Sequence, residues 1–497
     1  MTRADGCDRQ SAPEGSEMSR RALVAIALAG SMVLALAGCS ALVAGTPVSV
    51  FNDPFSVAGM PATDGASGLR PDAAEPTRTV KNTDGGAMDE LAAGAVSDLE
   101  EFWSAVYSEA FDGEFQPVRA LISWDAENFD GRFCGMETYG LVNAAFCKPD
   151  RTIGWDRGVL IPGLRRQNGD MGAVMVLAHE YGHAIGQQAG LTNRNTPTLV
   201  AEQQADCLAG AYMRWVAQGD SPRFTLNTGD GLNNLLAAVI AFRDPLLTEA
   251  EARYGIDEHG SAFERVSAFQ FGFTDGPAAC AAIDVKEIDQ RRGELPVLLP
   301  ENQSGDLDIT ERWVRSMVDA LNIVFEPAEP PTLSFRADAA VDCPSARPSP
   351  PVSYCPDTNA LVVDLAELQV LAAPPDDFGT GGLAGGDNNA YSVLISRYML
   401  ALEHARGLVL DNAEAALRTA CLTGVATARM IKPVRLPNGD TILLTAGDVD
   451  EAVSGILTNG LAASDVNGES VPSGFARIDA FRVGILGDEE RCLRRFA

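Results

Sequence analysis

The chain has 497 residues, 46 % of them hydrophobic and 21 % charged, with a net charge of −30 at pH 7. So acidic a surface argues against nucleic acid as a partner and against docking on anionic lipid through basic patches. It favours solubility and gives no substrate class by itself.

Residues 1–17 are polar and acidic, which is unusual ahead of an apolar leader, so Met18 is an alternative start. Arg20-Arg21 form a basic n-region, and residues 22–37 are small and apolar, too short a run for a comfortable membrane span. Leu36-Ala37-Gly38-Cys39 resembles a bacterial lipobox, so residues 1–38 read as a lipoprotein signal peptide. Lipidation of Cys39 would tether the protein to the outer face of the cell membrane; an uncleaved anchor or ordinary secretion are the alternatives. The leader carries four arginines and four acids, so its removal leaves the net charge unchanged. Residues 39–86, rich in Gly, Pro, Ala, Ser and Asp, read as a lipid-anchored flexible linker.

A helix comes next over residues 88–110, with Leu91, Leu99, Phe102 and Val106 at helical spacing. Residues 118–122 read as a strand and 151–160 as a second extended piece. Gly169-Asp170, with Asp170 as N-cap, opens a helix whose apolar run leads into His179-Glu180-Tyr181-Gly182-His183. The chain has only four histidines, and two of them lie here. Four residues apart on a helix, both imidazoles share a face, can hold one metal ion, and leave Glu180 beside its water. A hydrolytic zinc needs three protein ligands and an open position. In the next helix, residues 200–210, Glu202 and Asp206 share a face: Glu202 can ligate, and Asp206 can accept the second ring proton of a ligating histidine. A solvated acidic face is the plain alternative. Further helices are expected over 232–242 and 262–273.

These residues resemble the bacterial neutral zinc metallopeptidase family, gluzincin-like in its His-His-Glu ligand set. Its pattern is His-Glu-x-Gly-His, then Glu-Leu-Gln-Ala-Asp-Cys, then His-Gly-Thr/Ser and a late cysteine. Here stand His179 to His183, then Glu202-Gln203-Gln204-Ala205-Asp206-Cys207, then His259-Gly260-Ser261 and Cys280. Cys134-Gly135 and Cys147-Lys148-Pro149-Asp150 match the family's earlier pieces, and Gln203 departs from its leucine. The likeness covers about residues 88–290. It implies Zn²⁺ on His179, His183 and Glu202, Glu180 as general base, and peptide or protein substrates. It also brings His259 near the site as a candidate donor to the developing oxyanion, against the reading of a surface or core histidine. Tyr181 is a weaker candidate on the wrong side of the helix, and Arg265 is expected in an ion pair.

Of ten cysteines, Cys7 lies in the leader and Cys39 at the lipid position; the other eight belong to an exported chain, where disulfides are the default. Cys134, Cys147, Cys207 and Cys280 are spaced like Cys343, Cys355, Cys421 and Cys492. Gly169-Asp170 is echoed by Gly386-Asp387, Cys207-Leu208-Ala209-Gly210 by Cys421-Leu422-Thr423-Gly424, and Phe263 to Phe269 by Phe475 to Phe481. Two copies of one domain are therefore expected, 87–295 and 300–497. In the second, Ser396, Arg397 and Leu400 replace His179, Glu180 and His183, and Ala416 and Ala420 replace Glu202 and Asp206. His404 has no companion ligand, and the half is expected to be metal-free. Its roles could be packing, shaping the cleft or binding an envelope partner. Four cysteines allow three pairings; Cys134–Cys147, Cys207–Cys280, Cys343–Cys355 and Cys421–Cys492 are expected.

The expected fold is α+β, mostly helical: a zincin-like metallopeptidase domain followed by a degenerate duplicate. The leading function is a lipid-anchored extracytoplasmic zinc peptidase. The alternatives are an envelope binding or assembly protein with structural zinc, which would not need Glu180, and a zinc amidase acting on cell-wall peptides.

Overall fold

The computed structural model describes residues 53–128, 131–252, 259–299, 305–340, 342–373 and 383–497. The expected signal peptide and Cys39 lie outside the described residues. Among the described residues no helix is long and apolar enough to cross a membrane.

A four-stranded sheet anchors the first half. Its strands are β1 (Val80–Lys81), β2 (Ala120–Trp124), β3 (Ala144–Cys147) and β4 (Thr152–Asp156), in the order β1-β2-β4-β3. β1 and β4 run parallel to β2, with Leu121 opposite Ile153, and β3 runs antiparallel to β4. β4 is buried at every position, as a strand covered on both faces must be. β3 is left as an edge beside helix α2 (Leu160–Gln188). Helix α1 (Ala87–Ala110) packs on α2, burying Leu91, Leu99 and Phe102.

Two expectations are corrected here. The linker is part of the fold from Asp53 onward. Val57 is buried in the core, Gly68–Leu69 pairs with Phe224–Thr225, Thr63 N donates to Thr228 Oγ1 at 2.8 Å, and residues 80–81 form β1. Gly, Pro and Asp there mark turns between short paired pieces, which composition alone does not separate from a free tether. Asp170 opens the site helix, as expected, but its side chain does not cap it. α2 is two helical segments meeting at a kink at Gly169 (φ 69°, ψ −173°), a positive φ that suits glycine. The Asp170 carboxylate instead accepts from Arg165 Nε at 2.7 Å and Leu69 N at 3.2 Å.

Helix α3 (Thr198–Ala217) crosses α2 and packs along α5 (Ala262–Asp275), with α4 (Asp230–Ala241) beside them. A Cβ on Gly210 would overlap Phe269 O, and one on Gly272 would overlap Cys207 O, so these two helices touch backbone to backbone.

The second half places α6 (Glu311–Phe325) before strands β5 (Thr332–Ser334), β6 (Val352–Cys355) and β7 (Ala360–Val363). Their order is β5-β7-β6, with β5 parallel and β6 antiparallel to β7. Then come α7 (Asp387–Ala405), α8 (Ala413–Met430), α9 (Asp448–Thr458) and α10 (Gly474–Ile485). α8 and α10 also meet at glycines: a Cβ on Gly424 or Gly484 would overlap the carbonyl of Phe481 or Cys421.

Bridges join Cys134–Cys147, Cys207–Cys280, Cys343–Cys355 and Cys421–Cys492. Each contributes about 2–4 kcal/mol, mainly by limiting the unfolded chain. Cys207–Cys280 ties α3 to the turn after α5. Both halves share one apolar core and are joined by polar contacts. Asp450 accepts from Ala262 N and Phe263 N at 2.9 and 3.0 Å, Gln270 Nε2 donates to Phe475 O at 3.0 Å, and Gly474 N donates to Asn233 Oδ1 at 2.7 Å.

Candidate metal centre

His179 and His183 stand one turn apart on α2, ring centroids 4.8 Å apart. Glu202 on α3 closes the group. Its Oε2 lies 3.0 Å from His179 Nε2 and its Oε1 3.3 Å from His183 Nε2. One ligand atom from each residue lies within 4.8 Å of the others. The glycine of the motif allows this closeness. A Cβ on Gly182 would come within 2.7 Å of Ala205 O and 2.9 Å of Ala205 Cα. With that position bare, α3 can press against α2 at the level of the histidines.

Behind the ligands, His179 Nδ1 donates to Asp206 Oδ1 at 2.8 Å. Asp206 is fully buried and accepts two more bonds from Arg265, Nε to Oδ2 and Nη2 to Oδ1, both 2.8 Å. Burial alone would raise the Asp206 carboxyl, but Arg265 and then His179 hold it below its usual range. It thus stays an anion and fixes the histidine tautomer. His179 Nε2 then presents its lone pair to the Glu202 carboxylate, and two electron-rich atoms 3.0 Å apart require a cation between them. Burial would lower the His179 pKa, yet Asp206 and then Glu202 hold it up at about 10. Burial would likewise raise Glu202, but its bonds to His179 and His183 hold it far below the usual range. A proton fills the gap when no metal is there. Two imidazole nitrogens and one carboxylate oxygen fit Zn²⁺ with a position left open.

Glu180 turns toward the edge strand β3, where its Oε2 accepts from Phe146 N at 2.8 Å. It lines a cleft with His179, His259 and the apolar side chains Met175, Val176, Val239 and Phe242. His259 is brought to the same place. Its Nε2 lies 3.9 Å from Glu202 Oε2, and its Nδ1 lies 3.3 Å from Asp244 Oδ1. Asp244 also accepts from His259 N at 3.0 Å and Gly260 N at 2.9 Å, and its bond to the ring raises the His259 pKa. Sequence reasoning missed Asp244, which lies in an irregular segment before Pro245 that no motif marks. Tyr181 points away, its hydroxyl 3.2 Å from Glu100 Oε1, and Arg265 holds the ion pair expected of it.

In the second half Ser396, Arg397 and Leu400 are buried on α7, and Ala416 and Ala420 on α8. Arg397 donates to Val352 O at 2.9 Å and Ser464 Oγ at 3.0 Å, and exposed His404 meets the Tyr354 hydroxyl at 3.0 Å. These positions offer no ligand set.

No curated protein and no solved structure matches the chain. A family model described as "Putative neutral zinc metallopeptidase" matches residues 8–283, more than half of the sequence. With the His179, His183 and Glu202 group in place within that span, the chain belongs to this family of zinc metallopeptidases.

Proposed function

We propose that the protein is an exported, lipid-anchored zinc peptidase whose active site lies in its first half. The observation that carries this is Glu180: a structural zinc site needs no carboxylate base, yet here one lines an apolar-walled cleft beside the ligand group. Bound zinc would supply polarisation of a carbonyl and a lowered pKa for a water. The Glu180 carboxylate accepts the proton of the attacking water and returns it to the leaving amine. His259, donating from Nε2 while Asp244 holds Nδ1, stabilises the developing oxyanion. Asp206 orients His179 and Arg265 keeps Asp206 ionised.

The second half is read as a degenerate copy, and several features support that. Both halves pair their strands in the same sense, and each brings two helices together at glycines. Each also closes a short and a long disulfide loop of matching span, 13 and 73 residues against 12 and 71. Export is supported by those disulfides, and anchoring rests on the Leu36-Ala37-Gly38-Cys39 segment.

The test is Glu180→Gln on the zinc-loaded protein, assayed against a peptide library and cell-wall peptides. Zinc content should be unchanged and hydrolysis lost. Undiminished turnover would remove Glu180 from its role, and turnover confined to wall fragments would favour an amidase.

A further inference from the structure

A second group of acids lies away from the zinc ligands, where α7 and α9 begin. Asp306, Asp387 and Glu451 each bring an oxygen within 4.8 Å of the others. Asp448 is beside them, its main-chain oxygen taking the Asn388 side-chain amide at 2.6 Å. Acids in the first turn of a helix are ordinary, since they favour its positive end. That accounts for one carboxylate on each helix, and not for several from separate segments facing one another.

Unpartnered oxygens point to a ligand. Asp387 is 8 % exposed; its Oδ2 accepts from Leu307 N at 2.8 Å, while its Oδ1 is buried with no hydrogen-bond partner. Asn388 is fully buried between Glu451 and Asp448, giving its N–H to Glu451 Oε2 at 2.8 Å, and its own Oδ1 has no partner. Glu451 sits directly over Gly386, where a Cβ would overlap its carboxylate. The basic group facing these acids is Arg243, which interacts with Asp450 and Glu451. Burial and then the neighbouring carboxylates push Asp387 up to about 6, Asp448 to about 8 and Glu451 to about 9. Buried polar groups in native proteins are nearly always satisfied, so orphan oxygens among crowded acids call for a cation.

We infer that Asp306, Asp387 and Glu451, with the Asn388 side-chain oxygen, form a calcium site that braces the second half against the active-site segment. All the donors are hard oxygens from carboxylates and an amide, the set Ca²⁺ takes in six- to eight-fold coordination. There is no nitrogen or sulfur donor of the kind zinc prefers. The site departs from the expectation of a metal-free second half, while leaving the positions of Ser396, Arg397 and Leu400 empty of metal.

Two contacts carry its effect toward the zinc centre. Asp450, between Asp448 and Glu451 in the first turn of α9, holds the N–H groups of Ala262 and Phe263. These start the helix that comes after His259 and carries Arg265. Leu246, two residues after Asp244, packs on Gly447, whose missing Cβ would meet it at 2.9 Å. An ion that fixes the start of α9 thereby fixes both supports of His259.

The test uses the mature, zinc-loaded protein in calcium-free buffer, titrated with CaCl₂ by equilibrium dialysis and by thermal unfolding. One Ca²⁺ per chain should bind, half-saturating on the order of 0.1–1 mM as in extracellular modules. Ten times that concentration should raise Tm by about 2 °C. Asp387→Asn and Glu451→Gln should each lose the uptake and the Tm rise while keeping their zinc. Because each removes a crowded carboxylate, neither should unfold in calcium-free buffer; if one does, Asp306→Asn reports in its place. No saturable uptake up to about 10 mM, or parental uptake in the variants, overturns the inference and leaves a cluster neutralised by protons.

Discussion

Asp206 carries two loads, and substitution can separate them. In Asp206→Asn the amide must turn its NH₂ toward His179 Nδ1–H or toward Arg265, donor against donor, because the native carboxylate accepts from both at 2.8 Å. The Arg265 side chain is 4 % exposed and would lose its ion partner. An uncompensated buried charge costs about 3–5 kcal/mol of folding stability. Losing the oriented ring proton costs about 10–100-fold in zinc affinity, roughly 1.4–2.8 kcal/mol. The double variant Asp206→Asn/Arg265→Met removes the stranded guanidinium, so most of the folding loss should be recovered while the zinc loss stays. Urea unfolding of the metal-free chains reads the first quantity, and competition with a chromophoric chelator reads the second. If the folded single variant binds zinc within about threefold of the parent, Asp206 does not orient His179. If the double variant regains parental affinity, Asp206 serves only to neutralise Arg265.

Three further outcomes follow from the same geometry. With Asp244 accepting from Nδ1–H, His259 carries a proton on Nε2 only as the imidazolium, a form present below its raised pKa and lost as pH rises through it. Asp244→Asn lowers that pKa and should move the alkaline limb of kcat/KM to lower pH with zinc content unchanged; an unmoved limb excludes His259 as the donor. Gly182→Ala drives a methyl into the Ala205 backbone, so it should cost about 1–3 kcal/mol and weaken zinc binding by displacing Glu202, whereas parental zinc affinity would mean the crossing can relax. Asp450→Ala leaves the first N–H groups of α5 uncapped and should cost about 1 kcal/mol, with a fall in kcat/KM; parental values for both would disconnect α9 from the active-site segment.

The features legible in the sequence are those that lie on one helix. His179, Glu180 and His183 are placed by the 3.6-residue period, and Glu202 and Asp206 by the same rule on the next helix. The crossing that joins the two pairs depends on Gly182, whose meaning lies in the backbone of Ala205, a contact that periodicity does not encode. Residues 53–86 read as a tether for a related reason. Their hydrogen-bond partners, Phe224 and Thr228, lie about 150 residues further on, so nothing local distinguishes a strand edge from a free linker. Gly169 is visible as a break and is one: its φ of 69° and ψ of −173° kink the chain between Leu160–Asn168 and the helix that carries the motif.

The acids of the second half show the same limit from the other side. Gly386-Asp387 in the sequence looks like the start of a helix, and it is one. Asp448, Asp450 and Glu451 lie in the first turn of another helix, which the sequence reading did not mark. Only in the folded chain do those starts face each other and the loop at Asp306, with Asp450 turned outward to hold α5. The second half thus bears on the zinc centre of the first. The residues that support His259 are themselves supported from α9, so a change there should be felt at a site that it does not touch.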